Sequence, residues 1–244
     1  MNTACRFLEW DSQFFGCRIG RYERNILSPA DLPEIDRWCQ AARIDCLYFL
    51  ADGSSQESVV TAECAGFGFK DLRMTYEWRA SVGARGIDPR VGAKVRVRAY
   101  VESDLPEVVR IARSAHTDTR FFFDTRFDRA RAASLYETWI RQACGGEAEA
   151  VFVGESAGVP AGYLSCHLTA PAAGRIGLAA VDRQQHGHGI GRAMIDRALR
   201  WFLDHDVNEI AVVTQGRNVA AHRFYQSAGF LTKSVECWYH KWFT

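Results

Sequence analysis

The chain has 244 residues, 48% hydrophobic and 24% charged, enough to bury one large core or two small ones. Its 30 Lys and Arg stand against 29 Asp and Glu, a formal net charge of +1, which excludes a surface built on a strong field for nucleic acid or membrane. Apolar runs such as DCLYFLA and EAVFVG are too short for a bilayer, and the opening MNTACRFLEWDSQFFG lacks the regions of a signal peptide. No two of the eight cysteines form a C-x-x-C pair, so the sequence reads as a cytoplasmic protein with free thiols.

In chain order, SPADLPEIDRWCQAARI predicts a helix capped by Ser28 or Asp31, DCLYFLAD a buried strand, SSQESVVTAECAGFGF a second helix and LRMTYEWRA an alternating strand. The stretch SVGARGIDPRVGAKVR is rich in glycine and interrupted by Pro89, which divides the chain near residue 90 into a small α/β domain, 1–90, and a mixed α/β domain, 91–244. Beyond it, VRVRAYVES predicts a strand and SDLPEVVRIARSAH a helix from Ser103. An aromatic and arginine-rich segment, TDTRFFFDTRFDRARAASLYETWIRQA, ends in a further helix. EAVFVGESAGVPAGYLSCHLTA reads as two strands around a turn, and GRIGLAAV as a strand leading into VDRQQHGHGIGRAMIDRALRWF. A helix to about Asp204, the strand NEIAVVTQ, the helix NVAAHRFYQSAG and the strand KSVECWYHKWF complete the chain, and no internal repeat is visible.

Glycines at 187, 189 and 191 directly before a helix exceed what a tight turn needs. A dinucleotide fingerprint would require glycine at 192, where Arg192 stands, and the next strand ends in Thr214 and Gln215 with no acid for a ribose hydroxyl. A phosphate loop ending in Gly-Lys-Ser/Thr is absent. What remains is a run of unshielded main-chain N–H groups at the positive end of a helix, a receptor for phosphate oxygens, with Arg192 adding a charged contact.

HGHGIG at 186–191 resembles the acetyl-coenzyme A motif of the GCN5-related N-acetyltransferases, and NVAAHRFYQSAGF resembles that superfamily's downstream motif. WDSQFFG, RFFFDTRFDRARAASLYETWI and TQGRNVAAHRFYQSAGF further resemble the dTDP-fucosamine acetyltransferases, which carry a small N-terminal domain before the acetyltransferase fold and modify a nucleotide-linked 4-amino-4,6-dideoxygalactose. The resemblance implies a splayed mixed sheet flanked by helices. It implies acetyl-CoA as cosubstrate, held by Ala179, Ala180 and Val181 on the splayed strand, by His186, Gly187, His188, Gly189, Ile190, Gly191 and Arg192 around the diphosphate, and by Asn218. His186 departs from the family's usual Arg or Gln.

The same resemblance implies Tyr225 as the acid that protonates the departing thiolate; it lies two helical turns from Asn218, on the same face. Arg120, Asp124, Arg126, Tyr136 and Trp139 are the candidate acceptor surface, since arginine clasps a diphosphate and aromatics stack on a base or sugar. His186, His188 and His222 have no metal-site spacing, and no metal is required. No general base stands out, with His167 and Asp124 as candidate assistants. The acceptor expected is a nucleotide-linked amino sugar; an amino acid, polyamine or antibiotic, or a noncatalytic acyl-CoA-binding role, are the alternatives. Oligomeric state carries no signal in the sequence.

Overall fold

CLYFLAD is apolar at all but its last position, and it forms a strand whose first six residues are buried, as an unbroken apolar run does when both faces of a sheet are covered. In the computed structural model, which describes residues 4–83 and 95–243, the elements run β1 (Cys5–Phe7), α1 (Glu9–Phe15), β2 (Ile19–Tyr22), α2 (Leu32–Ala41), β3 (Cys46–Asp52), α3 (Gln56–Cys64), β4 (Gly68–Arg79) and α4 (Ala80–Gly83). There follow β5 (Val97–Ala99), α5 (Leu105–Ala115), α6 (Arg120–Phe123), α7 (Arg129–Gln142), β6 (Ala150–Ser156), β7 (Val159–Ala170) and β8 (Ala173–Val181). The chain then continues through α8 (Ile190–Asp204), β9 (Glu209–Gln215), α9 (Val219–Ser227) and β10 (Leu231–Trp242).

The ten strands form one mixed sheet in the order β1-β2-β3-β10-β4-β9-β8-β7-β6-β5, parallel only at β2/β3 and β8/β9. The last strand thus returns to the first half of the chain and inserts between β3 and β4. The junction expected near residue 90 lies outside the described residues; strands from both sides of it share this sheet. Helices α1, α5 and α7 cover one face through a core of Phe15, Ile111, Phe127, Leu135, Tyr136 and Tyr163. On the other face α8 and α9 pack on Trp78, Phe152, Ile176 and Phe230, and α2 and α3 on Phe49, Phe67 and Tyr239. No helix among the described residues is long and apolar enough to cross a membrane.

Local chemistry sets the helix starts. Asp31 accepts hydrogen bonds from the Ser28 N–H at 2.9 Å and its hydroxyl at 2.8 Å, so both residues expected as caps act together. α5 begins at Leu105 rather than Ser103, because Asp104 is held by Arg98 at 2.6 and 2.8 Å and by the Val101 N–H at 2.9 Å.

One irregularity shapes the centre of the sheet. β8 pairs with β9 from Ala173↔Glu209 to Ile176↔Val212, and there the pairing stops. On its other edge β8 shifts register against β7 between Leu164↔Ala179 and Cys166↔Ile176, a β-bulge in which Gly177 and Leu178 oppose the single residue Ser165. Gly177 leaves the room for this: a Cβ there would lie 2.4 Å from His167 Nε2 and 2.8 Å from Ser165 Oγ. The Leu178 N–H donates to the fully buried Ser165 Oγ at 2.9 Å, and the Asp182 N–H to the Ala161 carbonyl at 2.8 Å. By strand alternation the backbone groups of Ala179 and Val181 face the other way, into the gap where β9 has departed.

Ser165→Ala removes the acceptor of the Leu178 N–H. A buried donor left unmade costs about 1–3 kcal/mol, so urea denaturation is expected to show a loss of that order; unchanged stability would mean the bulge is held by other contacts.

Candidate active site

The gap between β8 and β9 opens into a cavity of about 720 Å³. Its walls are Ala179, Ala180 and Val181 of the freed strand, residues 185–187 and 189–192 of the glycine stretch, Asn218, Phe224 and Tyr225 of the α9 region, and His116 to Asp118 beyond α5. The residues named from the sequence for a cofactor therefore lie together, with His188 next in the same loop.

Gly189 is the N-cap of α8 with φ of +81°, and Gly187 has φ of +80°; nothing lies within 4 Å of a Cβ on either. Their need for glycine is thus conformational rather than steric. Gly191 differs: it sits in the first turn of α8, where a Cβ would come within 3.3 Å of the Phe224 ring. Among the described residues, the amides from Gly187 to Gly191 have no backbone acceptor, whereas the Ala193 N–H already bonds to the Gly189 carbonyl at 3.0 Å. Unbonded amides at a helix N-terminus form an anion receptor.

The side chains around the loop have other partners. Arg192 turns its guanidinium to Asp196 Oδ1 at 3.0 Å and to the Ser227 carbonyl at 3.0 Å, so it ties α8 to the end of α9. His186 Nε2 bonds the Val181 carbonyl at 3.0 Å, on the open edge of β8. Asp182, which sequence reasoning passed over, fixes the entry to the loop: it accepts from Arg110 at 2.5 Å and from the Gln184 N–H at 2.9 Å. Asn218 caps α9 by accepting the Ala221 N–H on Oδ1 at 3.0 Å, which leaves its amide NH₂ toward the cavity.

Tyr225 is buried among Tyr76, Phe224 and Phe230, and burial pushes its phenol up to about 12. Its hydroxyl has no hydrogen-bond partner among the described residues and opens into the cavity. His222 is committed elsewhere: Nδ1 meets the Tyr76 hydroxyl at 2.7 Å and Nε2 the Gly216 carbonyl at 3.0 Å. His116, also missed from the sequence, stacks on Tyr136 at 4.5 Å and meets the Tyr163 hydroxyl at 2.8 Å.

The five residues named for an acceptor are dispersed. Tyr136 is core, under His116. Trp139 stacks with Trp10 at 6.4 Å over a second cavity of about 410 Å³ behind the bulge, which His167 and Arg175 also line. Arg126 is exposed beside Trp242. Asp124 is buried and accepts from His240 at 2.6 Å and Trp242 at 3.0 Å; burial alone would raise it, and these bonds hold it well below the usual carboxylate range. Arg120 lies over Tyr48, Phe121 and Trp238. Neither candidate assistant base lines the larger cavity: His167 bonds Ser165 at 3.2 Å, and Asp124 belongs to the His240 cluster.

Residues 109–230, 122 of the chain's 244, match the Acetyltransferase (GNAT) family. The chain is 26% identical over 139 residues to the spore coat polysaccharide biosynthesis protein SpsD of Bacillus subtilis, covering 57% of this chain and 48% of that protein. It is 27% identical over 142 residues to a dTDP-fucosamine acetyltransferase of Escherichia coli O6:H1, covering 57% and 60%. A solved GCN5-related N-acetyltransferase from Sphaerobacter thermophilus shares the fold, with a TM-score of 0.66 at 14% identity over 98% of this chain and 76% of that one.

Two measurements follow. Gly189→Ala and Gly158→Ala each force an L-residue into positive φ, at +81° and +80°, with nothing within 4 Å of the new Cβ. Both should lose about 1–2 kcal/mol, while only Gly189→Ala should weaken coenzyme A binding, by more than tenfold in calorimetry; equal affinities would remove the loop as anion site. Second, burial pushes His116 down to about 4 and His240 to about 3, although the Asp124 bond opposes the latter. The unfolded chain takes up these protons near pH 6.5, so the stability is present above that pH and lost as pH falls below it. Tm should drop between pH 7 and pH 5, and a flat profile would show that neither ring is held neutral.

Proposed function

Because the chain belongs to the GNAT acetyltransferase family, whose members use acetyl-CoA, we propose that it moves the acetyl group of acetyl-CoA to the amine of a nucleotide-linked amino sugar of the dTDP-4-amino-4,6-dideoxygalactose type. The observation that carries this reading is that one cavity joins the amide loop, the unpaired edge of β8 and the Tyr225 hydroxyl. The loop suits the diphosphate of the cosubstrate, and the groups of Ala179 and Val181 suit its pantetheine arm, which takes the place of the missing strand. His186 would release the Val181 carbonyl to that arm.

The neutral amine attacks the thioester carbon, a main-chain N–H of the freed β8 edge stabilises the oxyanion, the new ammonium loses a proton to water, and collapse expels the thiolate. Tyr225 donates its proton to that sulfur and regains one from solvent, which balances the proton released from nitrogen. Held protonated up to about 12 by burial, it keeps the proton through neutral and mildly alkaline pH. Neither a metal nor a covalent enzyme intermediate enters these steps. The sugar-nucleotide acceptor is supported by the motifs at 10–16, 120–140 and 214–230 and by the likeness to a dTDP-fucosamine acetyltransferase.

Tyr225→Phe should lower kcat about 100-fold with acetyl-CoA affinity unchanged, since the phenol meets the cosubstrate only as charge develops on sulfur. Thiol release measured with dTDP-4-amino sugars beside a panel of simple amines reads both claims: an unchanged kcat removes Tyr225 as the acid, and a preference for a simple amine removes the sugar nucleotide.

A further inference from the structure

The sheet face covered by α1 and α6 carries a row of charge that the acetyl-CoA cavity does not include. Arg21 of β2 pairs with Tyr48, Tyr48 with His240, and Glu236 with Arg73, so Arg21, Tyr48, His240, Trp238, Glu236 and Arg73 share that face by register and alternation. Arg120 of α6 lies across the middle of the row, its guanidinium carbon 4.1 Å from the Trp238 ring and 4.3 Å from Tyr48, and Arg21 lies 5.5 Å from the same Trp238 ring.

Arg120 is held but not neutralised. Its Nη1 donates to His240 Nε2 at 2.8 Å, and His240 Nδ1 donates to Asp124 at 2.6 Å, the only tautomer that serves a guanidinium on one nitrogen and a carboxylate on the other. No carboxylate lies within 4 Å of Arg120 among the described residues, and its remaining N–H groups reach solvent. Its neighbours are incompletely matched: Arg73 pairs with Glu236 at 2.9 Å, while Arg21 meets Glu23 only at 3.8 Å and its Nε has no hydrogen-bond partner. Burial pushes Arg21 down, Glu23 opposes this, and repulsion from Arg120, Arg6 and Arg73 adds to it. Asp11, the nearby acid on α1, is pushed up by burial against the pull of Arg120, Arg6 and Arg21.

Like charges gathered on one face repel, and a planar guanidinium fixed on aromatic rings is set to grip an oxyanion with little loss of entropy. Arg21 and Arg73 stand three strands apart and four residues apart along them, about 20 Å at the backbone, with Arg120 reaching in between them. Their side chains converge, Arg21 and Arg120 over the one Trp238 ring and Arg73 close enough to repel Arg21, and several guanidinium groups facing one place suit successive phosphates better than a single carboxylate. Arg73 also pairs with Gln215, past the point where β9 leaves β8, so the row ends at the mouth of the gap.

We infer that Arg120, with Arg21 and Arg73 beside it, binds the diphosphate of the acceptor, braced for that task by His240 and Asp124. The inference rests on the sugar-nucleotide reading and names the contact that reading leaves open. The test is calorimetric titration of the whole chain, saturated with coenzyme A so that the loop at 187–191 is filled, with dTDP and separately with inorganic pyrophosphate. Both should bind, dTDP more tightly if the nucleoside contributes, and Arg120→Gln and Arg73→Gln should each weaken binding at least tenfold while coenzyme A affinity stays within twofold. Absence of binding by both probes, or binding that neither substitution changes, overturns the site. Acetyl transfer to a sugar nucleotide is read separately by thiol release, so diphosphate binding without transfer overturns the activity and spares the site.

Discussion

The hydrogen bond from the Leu178 N–H to Ser165 Oγ is the contact on which the functional half of the molecule turns. It satisfies the amide that the extra residue of the bulge throws out of register, and so allows β8 to keep its pairing with β7 while its other edge comes away from β9. Ser165 can serve because its hydroxyl both accepts from Leu178 and donates to His167 Nε2 at 3.2 Å, and His167 is anchored in turn by the Glu147 main chain. Gly177 makes the space for this chain of contacts. The sheet thus opens toward β9 while the Leu178 and Asp182 amides on the β7 side are answered.

The second half of the chain depends on the first through β10. Its insertion between β3 and β4 carries Trp238, His240 and Trp242 to α6 and α7, so the aromatic and basic segment after α5 is packed against residues more than 100 positions away. Asp124 receives two N–H donors there and stays ionised, His240 stays neutral between Asp124 and Arg120, and Arg120 is left as the charged end of the series. Removing Asp124 would leave the buried Nδ1–H of His240 unanswered, whereas Asp124 without His240 keeps Trp242, the Arg126 N–H and Lys70 at 3.5 Å.

This difference in range explains what was legible in the sequence. Gly187 and Gly189 announced themselves because positive φ has a residue signature, and Asn218 because an N-cap has one. The alternation of helices and strands was readable for the same reason: periodicity and caps are local. Gly177 sat unnoticed inside GRIGLAAV, since nothing in a strand's own sequence says which edge will lose its partner. The candidate acceptor residues have only their type and one segment of sequence in common. Tyr136 and Trp139 share a helix yet serve a core and a second cavity, and Arg120 takes its meaning from Arg21, Arg73 and Trp238, none of them near it in the chain.

That the amide loop, the open edge and the candidate acid meet in one cavity follows from topology. β8 and β9 are parallel, so α8 must cross over between them and its N-terminus lies at the C-terminal end of β8. The pairing fails at that same end, beyond Ile176↔Val212, which puts unbonded amides beside unpaired strand. α9 leaves the C-terminal end of β9 and runs back along it. Seven residues of helix from Asn218 carry Tyr225 about 10 Å from the rim, and the three residues from Gln215 back to Val212 cover about 10 Å of strand. The phenol is therefore level with the point where the strands part, the depth at which an extended arm entering between them would end.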